Sequence, residues 1–164
     1  MTELLPELRA FARFLVRDRS EADDLVQEAL VRALGALARF QQGTSMRAWL
    51  FTILRNAFYE QARRRRTEKA ALEQVGVTEQ ASAPHQENET ALADLQRLIW
   101  TLPPLLREAL VLVGAQGLAH EEAAKICNVP VGTMKARVSR ARAKISQALE
   151  EERSGGHLQP SVNG

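Results

Sequence analysis

Residues 119–149, AHEEAAKICNVPVGTMKARVSRARAKISQAL, constrain the fold more than any other part of the chain. A short apolar-periodic segment, a break at Asn128–Pro130 and a longer cationic segment follow one another. No acidic side chain lies between Glu122 and Glu150, whereas Lys125, Lys135, Arg137, Arg140, Arg142 and Lys144 are all basic. Two helices joined by a tight turn, the second strongly cationic, form a helix-turn-helix that lays its second helix in a DNA major groove.

The second helix supports this on its own geometry. At 3.6 residues per turn, Met134, Val138, Ala141 and Ile145 share one stripe and pack inward. Opposite them lie Gly132, Ala136, Ser139 and Ala143, flanked by Lys135 and Arg142 on one side and by Arg140, Arg137 and Lys144 on the other. Small residues let the backbone approach base edges, and the cations beside them reach phosphate or guanine. A merely solvated helix intersperses acids with its bases. Pro130 suits a first helical position, Asn128 tolerates the left-handed conformation that ends a helix, and Ala119 stands where a capping serine is expected. Cys127, the single cysteine, reads as a small buried hydrophobe.

One cysteine excludes a disulfide framework and a cysteine-based zinc site. The N-terminal MTELLPELRAFARFLVR is amphipathic and broken by charges, unlike a signal peptide. The richest apolar segment, Leu98–Ala115, contains Arg107 and Glu108, so no membrane span is expected and the cytoplasm is the default location. Net charge is only +2, yet residues 1–68 hold 12 bases against 9 acids, 69–92 hold 1 against 4, and 93–164 hold 9 against 7. Two cationic blocks flank an acidic middle, which suits a polyanionic partner.

The pattern predicts an all-α chain of two small helical domains, a three-helix bundle and a four-helix bundle with the helix-turn-helix, joined by a flexible linker. A first helix is expected over Glu3–Arg17. A second is capped by Ser20, runs to Ala38, and turns Leu25, Ala29, Ala33 and Leu37 inward. Phe40–Thr44 reads as a loop. Ser45 opens a third helix that packs through Trp49, Ile53 and Ala57 and ends in Arg63–Arg66. Seven of the eight aromatics lie in Phe11–Tyr59, which gives the front half its own core. Val75–Asn88 is polar and aperiodic, a linker. A helix over Glu89–Thr101, a break at Pro103-Pro104 and a helix to Ala115 precede the helix-turn-helix, and the tail from Ser154 reads as disordered. The domains are thus 1–68, a linker 69–92, 93–152, and a tail 153–164.

Three front-half features invite function. Four consecutive arginines exceed what a helix C-terminus needs and read as a phosphate-contacting patch. Asp24, Gln27, Glu28 and Val31 share an exposed helix face, which physics alone leaves as a wet surface. The loop Phe40–Met46 before an aromatic-rich helix is a place to hold unstacked bases.

Residues 1–150 resemble an extracytoplasmic-function sigma factor, the two-domain class of bacterial sigma subunit. SEADDLVQEALVRAL, FQQGTSMRAWLFTILRNAFYEQARRRR and LPPLLREALVLVGAQGLAHEEAAKICNVPVGTMKARVSRARAKI carry the likeness, in order and at family spacing. FQQGTSMRAWLFTILRN and LREALVLVGAQG further resemble the subgroup that runs the general stress response, in which an anti-sigma protein holds the sigma factor. The resemblance implies that Asp24, Leu25, Val26, Gln27 and Glu28 dock on the clamp helices of the largest RNA polymerase subunit. It implies that Phe40, Thr44, Met46 and Arg47 capture a flipped base of the minus-ten element, with Arg55, Asn56, Tyr59, Arg63 and Arg64 along the same strand. It places His120, Glu121, Gly132, Thr133, Lys135, Ala136, Ser139, Arg140 and Arg142 at the minus-thirty-five element. Ala119, His120 and Asn128 depart from the usual serine, tyrosine and glycine of the family. The free chain is expected either to fold its two domains together or to be clamped by the anti-sigma protein, hiding its DNA faces.

Rival readings are a stand-alone helix-turn-helix regulator, which leaves the front half unexplained, and a sigma-like decoy, which needs no cationic recognition helix. Catalysis is not expected. Asp23 and Asp24 point to different azimuths, His85, His120 and His157 are scattered, and no phosphate-cradling glycine motif is present. No cofactor or metal is called for.

Overall fold

The computed structural model describes residues 2–75 and 91–155, and all regular structure among them is helical. A 3-10 turn at Thr2–Leu4 leads into α1 (Leu5–Leu15), α2 (Arg19–Gly35), a 3-10 turn at Leu37–Arg39 and α3 (Met46–Val75). The rear half comprises α4 (Ala91–Thr101), α5 (Pro104–Leu110), a π turn at Val111–Ala115, α6 (His120–Cys127) and α7 (Val131–Gly155).

In α1, Leu8, Phe11, Ala12 and Leu15 recur at helical spacing and are buried. The cap of α2 is Asp18, two residues before the expected Ser20. Asp18 is extended, and its Oδ1 accepts from the Glu21 N–H at 3.0 Å. Aspartate is as good an acceptor as serine and comes first, so Ser20 falls inside the helix. Leu25, Ala29 and Ala33 point inward as expected. Leu37 does not: α2 ends at Gly35, and the tight turn that follows leaves Leu37 41% exposed.

The inward seam of α3 is Leu50, Phe51, Leu54 and Ala57. Trp49 and Ile53, expected on that seam, are half-buried beside it. Phe51 meets Phe11 edge to face, with centroids 5.2 Å apart. The helix continues past the four arginines because EKAAL (68–72) favours helix and no glycine or proline interrupts until Gly76. The expected linker therefore begins as helix over residues 69–75 and ends as helix at residues 91–92. Its middle, 76–90, lies outside the described residues.

In the rear half, Pro103 ends the linkage from α4 and α5 opens at Pro104. The helix expected up to Ala115 widens in its last turn, where the Gln116 N–H donates to the Val111 carbonyl at 2.9 Å. Gly117, with φ +68°, then turns the chain toward α6, a conformation that favours glycine. Asn128 ends α6 at φ 54° and ψ 50°. The Val129 N–H reaches the Ala124 carbonyl at 3.0 Å and the Asn128 N–H that of Lys125 at 3.2 Å, a Schellman ending. Pro130 stands one place before α7 rather than inside it, its carbonyl accepting from the Met134 N–H at 3.1 Å. Residues 153–155, expected in the tail, belong to α7, and 156–164 lie outside the described residues.

The front half does not keep a separate core. α3 packs on α6, and α1 packs on α5 and the π turn. One buried apolar cluster runs from Leu8 through Leu54 to Met134 and Val138.

Candidate nucleic-acid interface

The helix-turn-helix is built as its periodicity requires. Met134, Val138 and Ala141 are fully buried, and Ile145 packs against the core. On the opposite side Gly132, Lys135, Ser139, Arg140, Arg142, Ala143 and Lys144 are exposed, with Thr133 and Ala136 half-buried between them. Glu121 is exposed and His120 half-buried at the start of α6, one edge of the same unit. Arg137 departs from the expected ridge. It is half-buried, and its Nη1 is enclosed with no hydrogen-bond partner, because position 137 sits beside the inward stripe of Met134, Val138 and Ala141.

On α3, Arg55, Tyr59 and Arg63 fall at i, i+4 and i+8 and so share a face. Asn56 and Arg63–Arg66 are exposed, and Arg65 pairs with Glu21 at 3.2 Å. Arg55 and Tyr59 are instead closed off by the rear half. Glu108 of α5, 2% exposed, accepts from Arg55 Nε and from the Tyr59 hydroxyl at 3.3 Å. The Arg55 guanidinium lies 4.5 Å over the Tyr59 ring. Burial lowers the Arg55 pKa, but the hydrogen bond and charge of Glu108 outweigh it and leave it raised. Burial, then the Glu108 charge, raise the Tyr59 hydroxyl. The same two causes push the Cys127 thiol up to about 12. A buried ion pair adds little net stability, yet losing one partner strands the other at a cost of about 3–5 kcal/mol.

Further contacts join the halves. Arg47 donates to the Gln116 carbonyl and lies 2.7 Å from Glu7, in ion-pair rather than hydrogen-bond geometry. Arg107 donates to the Phe14 carbonyl at 3.0 Å and stacks 4.0 Å over Trp100. Arg17 lies over the same ring at 5.6 Å. Of the faces expected to be hidden in the free chain, the α3 set is partly covered and the α7 face stays open.

In the loop before α3, Phe40 packs at a tilt on Trp49 at 5.0 Å, and the exposed Thr44 donates to the Gln41 carbonyl at 2.6 Å. Met46 is half-buried against the core. On α2, Asp24 and Gln27 are exposed in line with Val31 and Leu34, which are 69% and 61% exposed. Leu25 and Val26, expected on the docking face, are buried core residues in the seam against α1 and α3. Glu28 is half-buried, held by Arg32 at 2.7 Å and by Gln61. The residues that sequence reasoning passed over are Glu108, Arg107, Trp100 and Gln116. Glu108 was legible in part: it shares spacing with Val111 and Leu112 on a buried stripe, where a carboxylate demands a partner.

An exposed cationic helix-turn-helix, and a long helix that exposes four consecutive arginines, give the chain two cationic faces of the kind a DNA-binding protein presents. Its two parts match the family models Sigma-70 region 2, over residues 1–68, and Sigma-70 region 4, over residues 92–145. The chain is 46% identical to the ECF RNA polymerase sigma factor EcfG of Rhodopseudomonas palustris, over 88% of this chain and 80% of that protein. It is 36% identical to a probable RNA polymerase sigma-C factor of Mycobacterium bovis, over 84% and 76%. Its fold is similar to that of the sigma factor RpoE of Bartonella quintana solved with the anti-sigma factor NepR. There the TM-score is 0.76 at 41% identity, over 91% of this chain and 95% of that one. CnrH, solved with the cytosolic domain of CnrY, gives 0.68 at 30% identity, over 92% and 84%. The chain belongs to the extracytoplasmic-function family of RNA polymerase sigma factors.

Proposed function

We propose that this chain is a sigma subunit that binds the RNA polymerase core, directs it to a class of promoters, and is held in reserve by an anti-sigma protein in a stress response. The observation that carries this is the pairing, in one chain and in family order, of the α3 arginine face with the open cationic face of α7. The relative solved with the anti-sigma factor NepR supports the last part.

Lys135, Ala136, Ser139, Arg140 and Arg142, with Gly132, Thr133, His120 and Glu121, read the duplex of the minus-thirty-five element, the cations contributing the salt-dependent share. Phe40, Thr44, Met46 and Arg47 hold an extruded base of the minus-ten element, and stacking and hydrogen bonds offset the few kcal/mol that extrusion costs. Arg55, Asn56, Tyr59, Arg63 and Arg64 follow the backbone of that strand. Asp24, Gln27 and Glu28 present negative charge to a basic polymerase surface, which steers docking and register. The chain itself makes and breaks no bonds and works in the cytoplasm, on the nucleoid when bound to polymerase.

The experiment is transcription in vitro with core enzyme and a genomic library of promoter fragments. Initiation at a defined promoter class is expected, and Lys135→Ala and Arg140→Ala weaken promoter binding by about 1–3 kcal/mol each. Absence of any initiated promoter, with DNA affinity unmoved by both substitutions, refutes the reading.

A further inference from the structure

We propose that Glu108 is an intramolecular stand-in for a DNA phosphate: it occupies, in the closed chain, the Arg55–Tyr59 anion site that a melted strand fills in the open one. This rests on the assignment of α3 to the strand backbone made above. A guanidinium and a phenolic hydroxyl converging on one carboxylate use the same donors that hold a phosphodiester oxygen. The site cannot serve both anions at once. The Glu108 side chain is 1% exposed and that of Arg55 15%, so no strand reaches the guanidinium while the carboxylate is seated.

The masking is selective. Arg47, of the set assigned to the extruded base, is likewise capped by the rear-half Gln116 carbonyl. Arg63 and Arg64, a little over one turn beyond Tyr59, remain exposed. So do Lys135, Arg140 and Arg142 on α7. The closed chain thus keeps its duplex-reading face available and withholds the part of α3 nearest the rear half. Separation of the halves then frees Arg55, Tyr59 and Arg47 together, which makes strand contact a second step after duplex contact. Glu108 is not stranded by the separation, because the face it loses is replaced by solvent.

The test uses the full chain with Glu108→Gln and, from the other side of the contact, Arg55→Met. The second substitution leaves the rear core untouched should the first disturb it, and circular dichroism checks that both stay helical. Small-angle scattering reads opening, and fluorescence anisotropy reads binding to a fluorescein-labelled oligothymidylate of about 12 nucleotides. Both variants are expected to expand. Glu108→Gln is expected to bind the strand about tenfold more tightly, the ratio that follows when a closed form about nine times as populated as the open one is removed. Arg55→Met is expected to bind it more weakly than Glu108→Gln, since it opens the chain but removes one of the donors. A compact Glu108→Gln chain overturns the proposal, as does an expanded one with unchanged strand affinity. An expanded Arg55→Met chain that binds as well as Glu108→Gln also overturns it, through the strand assignment on which it rests, and scattering separates that failure from a contact that never held.

Discussion

Replacing Ala119 by serine tests whether α6 is under-capped. Ala119 is extended (φ −63°, ψ 150°) and exposed, and its carbonyl already accepts from the Ala123 N–H at 3.0 Å. It occupies the N-cap position with the right backbone and no side-chain acceptor. A serine hydroxyl there accepts from the N–H of Glu122, and the Glu122 carboxylate reaches back to the N–H of residue 119, closing a capping box. Such a cap contributes about 1 kcal/mol relative to alanine, within a range of roughly 0.5–2. For a chain of this size 1 kcal/mol raises Tm by about 2–4 °C. Differential scanning calorimetry on Ala119→Ser, with Ala119→Leu as a control that supplies no acceptor, measures it. A serine variant no more stable than the parent, with helix content intact, refutes the reasoning.

Asp18→Ala is expected to lower stability by about 1 kcal/mol in urea titration, and Ser20→Ala by less than about 0.5, because only Asp18 holds an orphan N–H of α2. Met134→Ala, at a fully buried position between the helices of the DNA-reading unit, is expected to cost about 2–5 kcal/mol by the same titration. The raised Cys127 pKa means that the fold favours the neutral thiol. Its contribution is fully present below the usual thiol pKa of 9.0 and is lost as pH rises toward about 12. Tyr59, also raised, acts in the same direction. Urea midpoints at about pH 8 and about pH 11 are expected to fall less in Cys127→Ala than in the parent.

Local chemistry was readable along the chain, and contacts between distant segments were not. The turn at Asn128 and the inward stripe of α7 depend on residues within a few places of one another, and both stand where spacing put them. The cap of α2 was misplaced because Asp18 and Ser20 are both good acceptors, and the choice turns on where the chain enters the helix. In α3 the sequence WLFTIL offers apolar residues on adjacent azimuths, so periodicity alone leaves two seams open. Packing against α1, α2 and α6 selects Leu50, Phe51 and Leu54. Four consecutive arginines read as a helix ending, but helix-favouring residues follow them and the helix runs on to Val75. Arg55 and Glu108 lie 53 residues apart, and no local spacing announces that they meet. Arg137 was counted among the exposed cations because a helical wheel shows azimuth and not the depth of the neighbours around it.

Trp100, the one aromatic of the rear half, lies under Arg107 from its own half and Arg17 from the other. An indole flanked by one resident and one visiting cation is a built-in optical gauge of whether the two lobes are apposed. Withdrawal of the visitor changes the surroundings of this fluorophore. The native polypeptide can report its own docking without a dye.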